Sequence, residues 1–177
     1  MRMMLALIML VMMAIPSAQA VGPEVYRTLE WDDLMPDGEW DLYDKQFQSL
    51  FDLDKLDKIE EGSAQDQMVQ LGTFKTVPEL DGKKVRLPGF MLPFEYAEYQ
   101  KVTEFLLVPY FGACIHAPPP PPNQIVYVVS EKPIKVGDMW APIWAKGTLR
   151  AKKNINDVGS AAYTLELEGV DPYTEPQ

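Results

Sequence analysis

Five consecutive prolines, Pro118–Pro122, sit in the second half of a 177-residue chain and restrict what can surround them. Each proline fixes φ at about −65° and lacks a backbone donor, so the run belongs to neither a helix interior nor a sheet interior and favours a stiff polyproline II segment. Elements must therefore end before Pro118 and begin again after Pro122. Asn123-Gln124 follows directly, placing two side-chain amides where turn carbonyls need donors.

On both sides of this break the sequence reads as short strands. Asp81-Gly82 is a turn signal, and Val85, Leu87, Gly89 and Met91 then alternate as a half-buried strand requires, with Pro88 pointing to an edge or a bulge. Four further stretches read as extended: 104–110, 125–130, 141–150 and 161–170. In the last of these, Tyr163, Leu165 and Leu167 fall on one face and Thr164, Glu166 and Glu168 on the other, so one side packs and one is wet. A sandwich needs about seven strands, whereas five suit a small barrel. The expected fold is mainly β: an OB-like small antiparallel barrel with short N-terminal helices, in which Gly147 is a natural place for sharp coiling. The alternative is an open antiparallel α+β sheet with the helices on one face.

Upstream, the pattern is helical. Residues 28–34 form a short helical candidate with Thr28 as N-cap and Pro36 as its stop, and residues 39–56 a longer one in which Tyr43, Phe47, Leu50 and Phe51 share a side. A polar stretch, 58–67, separates it from the strands. The first residues are of another kind: Arg2, the unbroken apolar run 3–15 and the small-x-small ending Ser17-Ala18-Gln19-Ala20 read as a secretory signal cleaved after Ala20. The run is shorter than a membrane span of about 20 residues and is stopped by Pro16, and no cysteine follows the cleavage site, so no membrane anchor is expected. The expected organisation is a signal peptide over 1–20, a helical N-terminal extension over 21–66 that packs on the barrel, and the OB-like β domain over 67–177. The expected location is the periplasm.

Charge and sulfur narrow the function. Removing Arg2 with the leader leaves 15 basic against 26 acidic residues, a poor surface for nucleic acid or anionic membrane. Cys114 is the only cysteine, so an oxidising compartment offers it no intramolecular partner and the fold must rest on its core. Six of the ten methionines lie in the leader and Met35, Met68, Met91 and Met139 are scattered, which does not make a methionine-rich copper site.

Just ahead of the prolines, Cys114 and the only histidine, His116, stand two residues apart. An extended chain there would turn both side chains to one face, the arrangement a thiolate and an imidazole need to hold zinc or copper(I). Two ligands are too few for zinc, and the nearest carboxylates to complete the set are Glu95 and Glu104. Two other readings stand beside this one. A histidine so placed could activate Cys114 as the nucleophile of a thiol-dependent enzyme, although no Cys-x-x-Cys, orienting group or oxyanion site is identifiable. Alternatively Cys114 packs as a small hydrophobe beside Phe111 and Ile115, and His116 pins the start of the proline segment. The run Pro118, Pro119, Pro120, Pro121, Pro122 with Asn123 and Gln124 is in turn either a rigid connector or a docking ridge for a partner.

The residues Gly112-Ala113-Cys114-Ile115-His116-Ala117 with the prolines and Asn123-Gln124, together with Leu29-Glu30-Trp31-Asp32-Asp33-Leu34-Met35-Pro36, Val85-Arg86-Leu87-Pro88-Gly89-Phe90-Met91-Leu92-Pro93 and Trp144-x-x-Gly147, resemble a family of uncharacterised proteobacterial exported proteins, a domain of unknown function. The resemblance spans nearly the whole chain after the leader. It implies no activity. It does imply a setting, because members are often encoded beside the ATPase and permease components of ABC-type systems concerned with metal and particularly zinc supply. The chain is thus expected to be a periplasmic accessory protein that binds rather than catalyses, with zinc as the only cofactor indicated and an ABC-type permease or another periplasmic protein as partner. The thiol enzyme and a metal-free interaction module are the alternatives.

Overall fold

The computed structural model describes residues 25–50, 70–94, 101–113, 119–138 and 140–175. Six strands form one sheet: β1 (Arg27–Thr28), β2 (Lys83–Pro93), β3 (Lys101–Val108), β4 (Val126–Lys135), β5 (Ile143–Arg150) and β6 (Tyr163–Pro172). One helix, α1 (Glu39–Leu50), and short 3-10 turns at Trp31–Leu34, Pro78–Leu80 and Pro122–Gln124 complete the described elements. All five expected strands are present.

The sheet closes on itself. In the order β2-β3-β4-β6-β5, the first strand pairs again with the last: β2 runs against β5 from Lys83 to Gly89, then against β3 from Phe90 to Pro93. The result is a five-stranded barrel of the OB-like kind, and this ring excludes the open sheet. One expectation needs correcting, because the barrel is mixed rather than antiparallel: Val126–Val129 of β4 run parallel to Tyr163–Glu166 of β6. A ring of five strands cannot alternate direction all the way round, so closure itself forces at least one parallel neighbour pair.

Period-two alternation fills the interior. Val85, Leu87 and Met91 of β2, Phe105 and Leu107 of β3, Val126 and Val128 of β4, Ala145 and Leu149 of β5, and Tyr163 and Leu165 of β6 form one buried cluster with Leu29, Leu34 and Leu80. Pro88 is tolerated because only β5 pairs at its level. Its other side faces no strand, and the Trp31 indole N–H donates to its carbonyl at 2.8 Å. Gly147 marks the coil expected of it: the β5–β6 register shifts between Lys146 and Gly147, and a Cβ there would run into the Glu166 carbonyl.

The expected helix over 28–34 is instead a strand followed by a turn. Thr28 pairs with Arg86, the Leu29 N–H donates to the Arg86 carbonyl at 3.0 Å, and the Thr28 hydroxyl accepts from Arg86 Nε at 2.7 Å, so neither its backbone nor its side chain is free to cap. The turn at Trp31–Leu34 starts instead at Glu30, whose N–H donates to Asp33 Oδ2 at 2.8 Å. α1 begins where expected, and 51–56 of the longer candidate lie outside the described residues. Its first residue, Glu39, is buried and accepts from the Thr73 hydroxyl and from Lys75 Nζ at 2.8 Å. These hydrogen bonds, that to Lys75 foremost, hold its carboxyl below the usual range despite burial.

Candidate functional site

β3 is apolar on both faces. While Phe105 and Leu107 point into the barrel, Leu106 and Val108 point outward into a second buried cluster with Ala113, Ile125 and Ala161, against which Phe90, Leu92, Phe94 and Tyr127 pack. An aromatic platform rises from this outer layer. Phe90 meets Phe111 edge-on at 6.2 Å, and Phe111 stacks on Trp140 at 4.3 Å between centroids. Trp140 is 71% exposed and Phe111 43% exposed. On α1, Tyr43 lies between Trp40 and Phe47, and the phenols of Tyr43 and Tyr110 are close enough to interact electrostatically. The platform ends three residues before Cys114.

Cys114, His116, Glu95 and Pro118 lie outside the described residues. Glu104 is exposed on β3 opposite Val129, where the β3–β4 register breaks. Burial pushes the neighbouring Tyr127 phenol up to about 12, and the Glu104 carboxylate adds to the shift. Among the described residues, no three histidine, cysteine or acidic side chains come together as a metal-holding group.

The described part of the proline run is built into the molecule. Pro119 is half-buried, and Pro120, Pro121, Pro122, Asn123 and Gln124 are buried. Gln70 clamps the strut with three bonds: its Nε2 donates to the carbonyls of Pro120 at 2.9 Å and Ser160 at 2.8 Å, and its Oε1 accepts from the Ser160 N–H at 2.9 Å. The Ala162 N–H donates to the Pro122 carbonyl at 2.7 Å, and Gln124 Nε2 to the Trp31 carbonyl at 2.9 Å. Gly72 passes the strut at φ +95°, where a Cβ would collide with Pro121. Pro120–Gln124 thus face the interior of the molecule rather than solvent. Asn123 Oδ1 is buried without a hydrogen-bond partner.

This clamp carries an expected result. Gln70→Ala should cost about 1–2 kcal/mol in urea denaturation, because three backbone groups lose their partner at a half-buried site. A change within error would show that the strut is held by packing alone. The clamp was not legible in sequence, since nothing in the spacing ties Gln70 to Pro120 or Ser160. The Phe111–Trp140 stack was equally hidden.

A family model described as "Protein of unknown function (DUF3299)" matches residues 31–172, from the first 3-10 turn to the end of β6. The chain belongs to the DUF3299 family. A solved DUF3299 protein from Pseudomonas aeruginosa PAO1 is 34% identical to it, with a TM-score of 0.64, the alignment covering 87% of this chain and 100% of that one. Among curated proteins none matches. The DUF3299 match takes in the whole barrel, the strut and the aromatic platform. No helix among the described residues is long and apolar enough to cross a membrane.

Proposed function

We propose that this DUF3299 protein is an exported, periplasmic binding protein that serves an ABC-type transport or metal-supply system and does no chemistry of its own. The observation that carries the reading is the Phe90–Phe111–Trp140 platform. A tryptophan 71% exposed on a stacked phenylalanine leaves apolar surface in water at a cost of about 25 cal/mol per Å², a cost justified where a partner covers it. Elsewhere in the fold, Gln70, Glu39 and Tyr163 are each engaged in tying segments together, which supports a structural rather than a catalytic role for them.

Zinc is the ion this reading assigns to the segment beyond the platform. Its donor set fits the metal: a thiolate at Cys114, an imidazole at His116 and a carboxylate from Glu95 or Glu104 are the ligand types zinc takes. The residues would hold the ion, and the ion would supply a fixed charge and a cross-link. Support for export comes from the leader, and support for the transport setting from the family resemblance.

Zinc titrated into the reduced protein should bind one to one, and Cys114→Ser and His116→Ala should each abolish that binding. Trp140→Ala should leave zinc binding intact and cut co-purification with the permease. Zinc binding that survives both ligand substitutions removes the metal assignment, and permease capture indifferent to Trp140 removes the platform.

A further inference from the structure

The barrel is not filled evenly along its length. β4 and β6 pair only as far as Val129 and Glu166. Beyond that level β4 stays on β3 through Ile134 and Lys135, and β6 stays on β5 through Pro172, but no ladder joins the two among the described strands. Side chains that a closed ring would draw together are left apart. A pocket of about 270 Å³ opens at this end, where β5 begins and β6 finishes.

Register decides which side chains form its wall. Glu168 is the extra residue where the β5–β6 pairing shifts, and past it Val170 stands opposite Ala145 and Pro172 opposite Ile143. Ala145 belongs to the buried core and Ile143 packs against it, so Val170 and Pro172 face inward with them. Met91, itself a core residue of β2, and Val136, which packs on the core just past β4, complete the inner wall, with Pro142 closing it from the connection to β5. None of these six side chains carries a charge or a hydrogen-bond donor, and the two prolines have no N–H.

The charged residues of the lining are directed elsewhere. Lys135, between the inward Ile134 and Val136, is exposed and stands opposite Lys101. Asp171 is bonded to Lys146 Nζ at 2.7 Å, and Asp138 Oδ1 accepts from the Trp140 N–H at 2.9 Å. A charged group carried into the pocket would lose its hydration and meet no partner. Size sets the other limit. An apolar cavity of about 150 Å³ holds benzene, and on that scale this pocket holds about ten non-hydrogen atoms.

We propose that this end of the barrel is a binding site for a small, uncharged aromatic molecule of about ten non-hydrogen atoms. Mouths of β-barrels are a usual place for such sites, and burial of the ring against the inner wall supplies the affinity. The Met91 thioether favours a ring over an alkyl chain of equal bulk, because its sulfur makes favourable contacts with aromatic edges. The site depends neither on zinc nor on a permease.

Naphthalene titrated into protein carrying methyl-13C methionine provides the test, with the Met91 signal assigned through Met91→Leu. The Met91 methyl should shift saturably as the ring enters. Naphthalene-1,5-disulfonate, which cannot enter without burying one of its charges, should bind at least about tenfold more weakly, and 1-octanol at least about threefold more weakly. Ala141→Trp, an exposed change at the lining, should weaken naphthalene binding at least about tenfold by filling the entrance. An unmoved Met91 signal would overturn the proposal, and so would shifts confined to the Trp140 indole, which would place the probe on the platform instead. Disulfonate binding equal to that of naphthalene would overturn the uncharged ligand, tighter binding of octanol the aromatic one, and affinity indifferent to Ala141→Trp the location.

Discussion

Gly147→Ala is expected to lower the unfolding free energy by about 3 kcal/mol or more, at the upper end of what overpacking costs and a large part of the total stability of a domain this size. Where β5 crosses β6, a Cβ on residue 147 would overlap the Glu166 carbonyl oxygen and lie 2.9 Å from its carbon and 3.1 Å from the Leu167 Cα. All of these are backbone atoms, so no side chain can swing aside. The two strands must separate, at the point where the ring coils most sharply and their register already shifts. Gly137→Ala is the control, since a Cβ there meets nothing within 4 Å, and it should stay within about 0.5 kcal/mol of the parent. Urea midpoints of the two variants decide the matter. A Gly147→Ala protein as stable as the parent would mean that β5 and β6 do not approach as closely as the barrel requires.

Alternation was the part of this fold written locally. Val85, Leu87 and Met91, or Tyr163 and Leu165, declare their face through neighbours two residues away, and strands positioned from those patterns fall where the barrel has them. The helix expected at 28–34 failed because the local signal, a threonine ahead of acidic residues, was outweighed by a partner more than fifty residues later: Arg86 takes both the backbone and the hydroxyl of Thr28. The extent of β4 was missed for a related reason. The expected strand stopped at residue 130, whereas pairing to β3 resumes beyond the bulge at Ile134 and Lys135. That a closed ring of five strands contains a parallel pair follows from strand number alone, whereas which pair it is, β4–β6, does not. For the candidate site the division is sharper. Cys114, His116 and Glu95 lie outside the described residues, while the Gln70 clamp and the Phe111–Trp140 stack depend on contacts spanning about thirty to ninety residues that no motif encodes.

Tyr163→Phe is expected to cost about 2–3 kcal/mol although it removes a single oxygen, because that oxygen joins three segments. The Tyr163 hydroxyl donates to the Leu34 carbonyl at 2.9 Å and accepts from the Val77 N–H at 2.6 Å, tying the first 3-10 turn and the approach to β2 to the start of β6. Leu34 and Tyr163 are wholly buried, so phenylalanine would leave the Leu34 carbonyl with neither partner nor water. The same burial sets a pH dependence. It pushes the Tyr163 phenol up to about 12 from an ordinary 10, the Val77 N–H working in the opposite direction. A raised acid constant means that the folded chain holds the proton more tightly than the unfolded one. The contribution is therefore complete below pH 10 and is lost as pH climbs from 10 to 12, about 2.7 kcal/mol for two units. Tyr127, also raised to about 12, ionises in the same window but is partly exposed and contributes less. Urea denaturation between pH 9 and about 12 should thus show a steep loss of stability in the parent and a much shallower one in Tyr163→Phe. Equal slopes would place the Tyr163 phenol in water and unfasten the N-terminal segment from the barrel.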